Sequence, residues 1–196
     1  MTDLSKQHVM PTDTTKSSRR QLLKTAFGVT AGMLVAPQLM AALPQKPERH
    51  LELFNLHTGE QLKTTYWVEG QYQAKEIKAI NHILRDHRTN ELFPIDRKLI
   101  DLMALLLMPY GDTHPLEIIS GYRSESTNEM LRKTGSGGVA KKSYHTLGKA
   151  VDIKLAGTKL IDLYEAAIEL KAGGVGYYPK DGFVHIDTGP VRHWQG

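Results

Sequence analysis

The sequence contains no cysteine among its 196 residues. This absence excludes disulfide bonds, thiolate metal sites and cysteine nucleophiles together. It does not identify the compartment, because an exported protein without disulfides is common enough that the count carries no weight. Any metal site must therefore be built from His, Asp and Glu side chains.

Most of the chain also lacks an excess of positive or negative charge. The formal net charge is +4, but five of the 25 Lys and Arg residues and only two of the 21 Asp and Glu residues lie in positions 1–42. The remainder therefore holds 20 basic and 19 acidic residues. A nearly neutral domain gives little support to binding of a polyanion. We expect no nucleic-acid partner.

No apolar run is long enough to span a bilayer comfortably, which takes about 20 residues. The apolar stretch 25–36 follows Arg19 and Arg20 and precedes the small residues Ala41 and Ala42. This order predicts an export signal over residues 1–42, and the paired arginines resemble the twin-arginine type. The alternatives are an amphipathic helix or a membrane anchor. An uncleaved, tethered form stays open because Leu39 departs from the small residue expected before a cleavage point. We expect a periplasmic protein whose only membrane contact is through this segment.

Hydrophobic periodicity predicts an α+β fold with a small antiparallel sheet flanked by helices. Residues 43–50, with two prolines, read as a linker, and residues 51–196 as one domain. We predict a hairpin from strands 51–56 and 61–68, with His57 as a solvated residue of its turn. The remaining elements are helices over 74–88, 96–108, 127–133 and 158–170, a strand over 116–120, a strand over 151–155, and a second hairpin over 175–187.

Two of the predicted strands carry polar residues that would share a surface. In 151–155, Asp152 points away from its apolar neighbours, and in 183–187, His185 and Asp187 lie two positions apart and so face the same way. If the strands are neighbours, the preceding loop can bring His145 to the same surface. Two imidazoles and a carboxylate with a fourth position open for water are the ligands of a hydrolytic zinc site. Taken alone, His145 could be a surface loop residue, Asp152 a charge at a strand edge and His185 a hydrogen-bonded core histidine. Burial of a carboxylate and an imidazole within apolar runs, however, costs a few kcal/mol in desolvation unless something pairs with them.

The same residues carry a resemblance that runs from about Leu51 to the C-terminus. The motifs are His145-x-x-Gly-x-Ala-x-Asp152, preceded by Ser120-Gly-Tyr-Arg-Ser124 with Asn128, and followed by Gly173-Gly-Val-Gly-Tyr-Tyr-Pro179, Val184-His-Ile-Asp187 and Val191-Arg-His-Trp194. Together they resemble the zinc peptidases of family M15, in the DUF882 or YcbK-like branch that contains murein endopeptidases. The resemblance implies a fold like that of LAS enzymes, the Hedgehog and D-Ala-D-Ala peptidase group. It also implies Zn²⁺ on His145, Asp152 and His185, and peptidoglycan as partner.

The resemblance also implies that Arg123 contacts the substrate and its developing negative charge. Ser143, Tyr144 and Tyr177 are expected to shape the pocket, and Asn128 to brace the arginine loop. His193 and Trp194 are equally compatible with a substrate-facing rim and with plain packing.

The general base is less defined. Many M15 relatives have an acidic residue three positions before the last histidine ligand, where this chain has Gly182. We expect Asp187 to be the base because it shares a strand face with His185, with Asp181 as the rival.

The expected function is therefore zinc-dependent hydrolysis of peptide cross-links in peptidoglycan, in cell wall remodelling by a monomer. The resemblance favours an endopeptidase that cuts 3-3 cross-links between diaminopimelate residues and also 4-3 cross-links. Two alternatives remain: a D-Ala-D-Ala-type carboxypeptidase, and a non-catalytic zinc-containing module that binds the wall. The missing acidic residue at position 182 keeps the second one open.

Overall fold

The computed structural model describes residues 47–111, 114–134 and 139–196. The predicted export signal, residues 1–42, and positions 43–46 of the predicted linker lie outside the described residues. The first strand begins at Glu48, within the segment assigned to the linker. In the part of the chain that the structure describes, no helix combines the length and the apolar character needed to cross a membrane.

The described chain forms eight strands and four α-helices. The strands are β1 Glu48–Asn55, β2 Gln61–Val68, β3 Gln71–Tyr72, β4 Leu116–Ser120, β5 Ala150–Leu155, β6 Gly174–Tyr178, β7 Phe183–Asp187 and β8 Arg192–Gln195. The helices are α1 Ala74–Ile83, α2 Arg97–Leu107, α3 Glu125–Thr134 and α4 Leu160–Glu169. Two short 3-10 helices span Met108–Tyr110 and Tyr144–Leu147. The predicted α+β class is confirmed.

All eight strands belong to one mixed sheet in the order β3-β2-β1-β4-β5-β7-β6-β8. The expectation of a small antiparallel sheet is therefore corrected. β1 pairs in parallel with β4, and β6 pairs in parallel with β8, while the four central strands β4, β5, β7 and β6 are antiparallel. The sequence pattern missed this because β8 is short and polar, and because periodicity does not show which of the predicted strands, such as β1 and β4, are neighbours.

The apolar faces of the strands and helices form one core. Val151 and Ile153 of β5 and Val184 and Ile186 of β7 are fully buried in it. Helix α4 packs against β5, β6 and β7, while α2 contacts β1 and α1 contacts β2. Because side chains alternate along a strand, the polar residues between these apolar ones emerge on the opposite face of the sheet. That face carries the candidate site.

Local signals set the ends of two helices. Asp96, the first residue of the predicted helix 96–108, caps α2 by accepting a hydrogen bond from the Lys98 amide at 3.0 Å. Helix α1 ends at Ile83, earlier than predicted, and the Leu84 carbonyl accepts a hydrogen bond from the Tyr122 amide at 2.8 Å. Gly121 permits this approach, because a side chain at that position would collide with the Leu84 backbone. The end of α1 is thereby joined to the loop that carries Arg123.

Candidate metal centre

The register of the central strands lines up one row of residues across the sheet. Asp152 on β5 pairs with Ser120 on β4 and with His185 on β7. His185 pairs in turn with Gly176 on β6, and Gly176 pairs with Trp194 on β8. A slip in the β4–β5 register between Ile118 and Ser120 brings Ser120 into this row. Paired residues share a face, so the row forms the floor of the site.

His145 reaches the row from the 3-10 helix Tyr144–Leu147, which precedes β5. Ser143 caps this turn by accepting a hydrogen bond from the His145 amide at 3.3 Å. Gly148 ends it with a left-handed φ of 63°. The buried imidazole of His145 donates from Nδ1 to the Gly121 carbonyl at 2.7 Å. Its Nε2 therefore carries the lone pair and faces the row.

His185 is oriented in the same manner by a carboxylate. Its Nε2 lies 3.0 Å from Oδ2 of Asp187, while its Nδ1 lies 2.9 Å from Oδ1 of Asp152. Asp187 is fully buried and also accepts hydrogen bonds from Arg192, at 2.7 and 3.1 Å, and from the Gly189 amide at 2.8 Å. With Nε2 held by Asp187, Nδ1 is the nitrogen directed at the row.

The structure brings the three predicted ligands together. One ligand atom from each of His145, Asp152 and His185 can be chosen so that all lie within 4.8 Å of one another. His145 Nε2 is 3.2 Å from Asp152 Oδ1 and 3.2 Å from His185 Nδ1. Both imidazoles have their outer nitrogen bound to an acceptor, which is how proteins fix the tautomer of metal-binding histidines. Two such nitrogens and one carboxylate are a donor set that fits zinc.

Arg123 lies against this group. Its Nη2 donates to Asp152 Oδ2, and its Nε donates to Ser120 Oγ at 2.8 Å. The guanidinium lines the cavity and also neutralises the carboxylate beneath it. Asn128 does not brace this loop as expected. Its Nδ2 donates instead to the Ala140 carbonyl at 3.1 Å, which attaches α3 to the segment leading to His145.

Burial and charge act in opposite directions on the titrating groups. Burial lowers the pKa of His145, and the positive charge of Arg123 adds to this. For Asp152 burial favours the neutral acid, but the positive charges of His145 and Arg123 and its hydrogen bonds hold the pKa well below its usual range. For His185 burial is opposed by the carboxylates of Asp152 and Asp187, which raise the pKa. The shifts of Asp152 and His145 favour the ionised carboxylate and the neutral imidazole, the forms that bind a metal, whereas the shift of His185 favours its protonated form in the absence of a metal.

A cavity of about 530 Å³ opens above the row. Ser143 and Tyr144 are among its lining residues. Tyr177 does not belong to its lining, which corrects the expectation. The Tyr177 ring lies 5.0 Å from that of Tyr164 on α4 and packs against the core. Its neighbour Tyr178 lines the cavity instead, because alternation along β6 puts Gly176 and Tyr178 on the side of His185.

Three aromatic residues form one wall of the cavity; the sequence left Trp194 open between a rim position and packing and gave no role to the other two. They are Tyr178, Phe183 and Trp194. Tyr178 stacks on Phe183 at 4.6 Å and accepts a hydrogen bond from the Trp194 indole at 2.9 Å. Trp194 lies 5.3 Å from the His185 ring, so it faces the site, whereas His193 is exposed and does not line the cavity.

Two glycines of β6 make these contacts possible. A side chain on Gly176 would lie 2.7 Å from the indole of Trp194, and one on Gly174 would collide with Arg192 and Asp187. Without side chains there, Trp194 and Arg192 of β8 reach across β6 to β7. The spacing Gly-x-Gly at the start of β6 is the sequence signal for this arrangement.

The two candidates for general base have different surroundings. Asp187 is not among the cavity-lining residues and is enclosed by Arg192, His185 and backbone amides. Burial opposes its ionisation, but the hydrogen bonds from His185 and Arg192 lower its pKa. Asp181, in the exposed turn between β6 and β7, does line the cavity. Among the described residues, Asp152 and Asp181 are the two carboxylates in that lining.

Comparisons with known proteins point to one family. The family described as Peptidoglycan L,D-endopeptidase MepK matches residues 44–194. The protein named Peptidoglycan L,D-endopeptidase MepK from Escherichia coli K12 is 45% identical over 179 residues, which cover 91% of this chain and 97% of that protein. The protein of the same name from Shigella flexneri matches equally. One from Haemophilus influenzae, named Probable peptidoglycan L,D-endopeptidase MepK, is 39% identical over 171 residues, or 86% of this chain and 91% of that protein. No solved structure matches significantly.

Proposed function

Because the chain belongs to the M15 peptidases, in the family of the peptidoglycan L,D-endopeptidase MepK, we propose that it is a zinc-dependent endopeptidase that hydrolyses peptide cross-links of peptidoglycan. The observation that carries the proposal is the convergence of His145, Asp152 and His185, with one ring nitrogen of each imidazole bound to an outer acceptor and the other facing the row. We further propose that the fold is of the LAS type and that the protein acts as a periplasmic monomer exported by the twin-arginine route.

His145, Asp152 and His185 would hold the zinc ion. When bound, the ion would supply Lewis acidity toward the scissile carbonyl and the attacking water. Asp187 orients His185 from the outer side, and the Gly121 carbonyl does the same for His145. This orienting role replaces the expected role of Asp187 as general base, because its carboxylate is engaged on all sides and does not face the cavity.

Asp181 is the proposed general base. It is the cavity-lining carboxylate left once Asp152 is assigned to the metal, and its exposed position in a hairpin turn leaves it room to approach a substrate. It would take a proton from the attacking water and return one to the leaving amine. Arg123, held by Asp152 and Ser120, would stabilise the negative charge that develops on the scissile carbonyl oxygen.

Ser143, Tyr144 and the aromatic wall would shape the binding of the stem peptides. Tyr178 and Trp194 present ring faces beside His185, and Arg192 lies over the Trp194 ring at 5.0 Å. Such surfaces bind apolar and planar parts of a peptide while they exclude water. The preferred bonds are 3-3 cross-links between diaminopimelate residues, followed by 4-3 cross-links.

Mass analysis of the products from defined cross-linked muropeptides, with and without a chelator, tests this function. We expect 3-3 linked dimers to be converted to monomers, with loss of activity on chelation and recovery on addition of zinc. Release of terminal D-Ala alone would assign a carboxypeptidase. Binding to isolated sacculi without any soluble product would assign a non-catalytic wall-binding module.

A further inference from the structure

One side of the cavity is lined by an arginine whose side chain has no partner among the described residues. Arg88 and His57 line the cavity and are exposed. Of the other arginines in the lining, Arg123 is paired with Asp152 and Arg192 with Asp187, and the lining also contains Lys142. The guanidinium of Arg88, by contrast, makes no hydrogen bond or ion pair with any residue in the described ranges 47–111, 114–134 and 139–196. An arginine that lines a cavity without a partner is available to bind an anion.

The backbone of Arg88 is held in place by a single buried carboxylate. Asp86 is 1% exposed, and its Oδ1 accepts a hydrogen bond from the Arg88 amide at 2.9 Å. Its Oδ2 accepts from the amide and hydroxyl of Ser124, at 2.9 and 2.7 Å. Ser124 follows Arg123 in the chain. Asp86 therefore fixes Arg88 and Arg123 on the same wall of the cavity.

The β1–β2 turn places His57 against His87, the residue that precedes Arg88 in the chain. The His57 ring stacks on His87, with centroids 3.9 Å apart and planes 10° apart. Asn55 holds the turn there, since it accepts from the His57 amide at 2.9 Å and donates to the Ile83 carbonyl at 2.9 Å. Burial, followed by the positive charges of His57 and Arg88, lowers the pKa of His87 to about 4. His87 is therefore a neutral stacking partner near neutral pH.

The sheet order places Arg88 and His57 on the opposite side of the cavity from Asp181. The β1–β2 turn adjoins β4, as the Leu56 amide donates to the Ile118 carbonyl at 3.1 Å. Asp181 lies in the turn between β6 and β7. Strand β5, with Asp152, lies between β4 and β7 in the sheet. The cavity therefore has a cationic side and, across the metal residues, a side with a carboxylate and aromatic rings.

We propose that Arg88 and His57 form an anion subsite that binds a free carboxylate of the peptide substrate, on the side of the metal residues remote from Asp181. This subsite rests on the proposed endopeptidase function and adds to it. It requires a substrate that carries a free carboxylate at a distance from the scissile bond. A planar guanidinium suits this ligand because it can form two parallel hydrogen bonds to the two carboxylate oxygens.

Synthetic cross-linked stem-peptide dimers, each with one free carboxyl replaced by a carboxamide, test the subsite. Wild type, Arg88→Met and Arg88→Lys are compared, with Arg97→Met as a control that removes an exposed arginine outside the cavity lining. In wild type, one carboxamide should raise KM about tenfold with little change in kcat. Arg88→Met should show the higher KM on every dimer, Arg88→Lys an intermediate one, and Arg97→Met wild-type behaviour.

The subsite is wrong if no carboxamide raises KM in wild type, or if the carboxamide effect persists in Arg88→Met. Binding measured by calorimetry gives a result that does not depend on turnover. A linear stem peptide with all carboxyls free should bind Arg88→Met about tenfold more weakly than wild type, and equal affinities would overturn the subsite. Absence of hydrolysis by wild type, with Arg88-dependent binding retained, would remove the endopeptidase function and leave the subsite intact.

Discussion

Asp187 contacts His185 at Nε2, 3.0 Å away, on the side of the imidazole opposite the Nδ1 atom that meets Asp152. The two residues lie two positions apart on β7, so strand alternation alone puts them on one face. Their contact makes Asp187 a support for the orientation of His185, a proposed metal ligand. Arg192, which reaches Asp187 over Gly174, holds that support in place from β8.

We expect Asp187→Asn to weaken zinc binding about 10- to 100-fold, because an amide orients the His185 tautomer less well than a carboxylate does. Competition with a chromogenic chelator measures this affinity. Asp181→Asn is the matched control and should bind zinc as wild type does. Unchanged zinc affinity in Asp187→Asn would show that the contact is not needed to orient His185.

Asp181→Asn should lower kcat on a cross-linked muropeptide by about 100-fold or more, since general-base catalysis contributes roughly 10²–10⁴-fold. The loss should appear with zinc fully bound, which chelator competition on the same sample establishes. Asp187→Asn at saturating zinc should keep most of the wild-type kcat. The reverse result, with Asp181→Asn active and zinc-loaded Asp187→Asn inactive, would return the role of base to Asp187.

Tyr177→Ala and Tyr178→Ala form a second matched pair, because neighbouring residues of β6 face opposite sides of the sheet. Tyr177→Ala should lower the free energy of unfolding by about 2 kcal/mol, as it removes a partly buried ring that packs on Tyr164. Tyr178→Ala should instead raise KM several-fold, because Tyr178 lines the cavity and holds the Trp194 indole. Urea denaturation and steady-state kinetics on both variants separate the two roles, and a KM effect confined to Tyr177→Ala would refute the assignment.

Asp86 should contribute stability that depends on pH. Burial opposes its ionisation, but hydrogen bonds from Thr127, Ser124 and Arg88 lower its pKa in the folded state. A carboxyl with a depressed folded pKa stabilises the fold above its unfolded pKa of about 3.9, and the contribution is lost as the pH falls below that value.

Asp86→Asn should therefore lower the free energy of unfolding by about 2 kcal/mol at pH 7, as hydrogen bonds to a buried charged group are lost. The difference from wild type should shrink as the pH is lowered from 4 toward 2 in urea denaturation. Asp162→Asn, at an exposed position of α4, is the control and should change stability by a few tenths of a kcal/mol. A deficit in Asp86→Asn that stays constant down to pH 2 would contradict the assignment.

The sequence by itself determined most of the local elements and the choice of His145, Asp152 and His185 as the proposed metal ligands. The cap at Asp96, the first hairpin, and the alternation that turns Asp152 and His185 away from the core all follow from near neighbours in the chain. Such features depend on side-chain direction and backbone preference within a few residues, so periodicity is enough to predict them.

Only the tertiary structure decided what each of those side chains meets. The partners of Asp187 depend on β8, whose parallel pairing with β6 brings Arg192 across Gly174. The side of the cavity lined by His57 and Arg88 depends on the β1–β2 turn, whose His57 stacks on His87, a residue far from it in sequence. Alternation fixes which face a residue takes but not which strand or loop lies opposite. Which strand or loop lies opposite depends on how the whole sheet buries its apolar face against the helices.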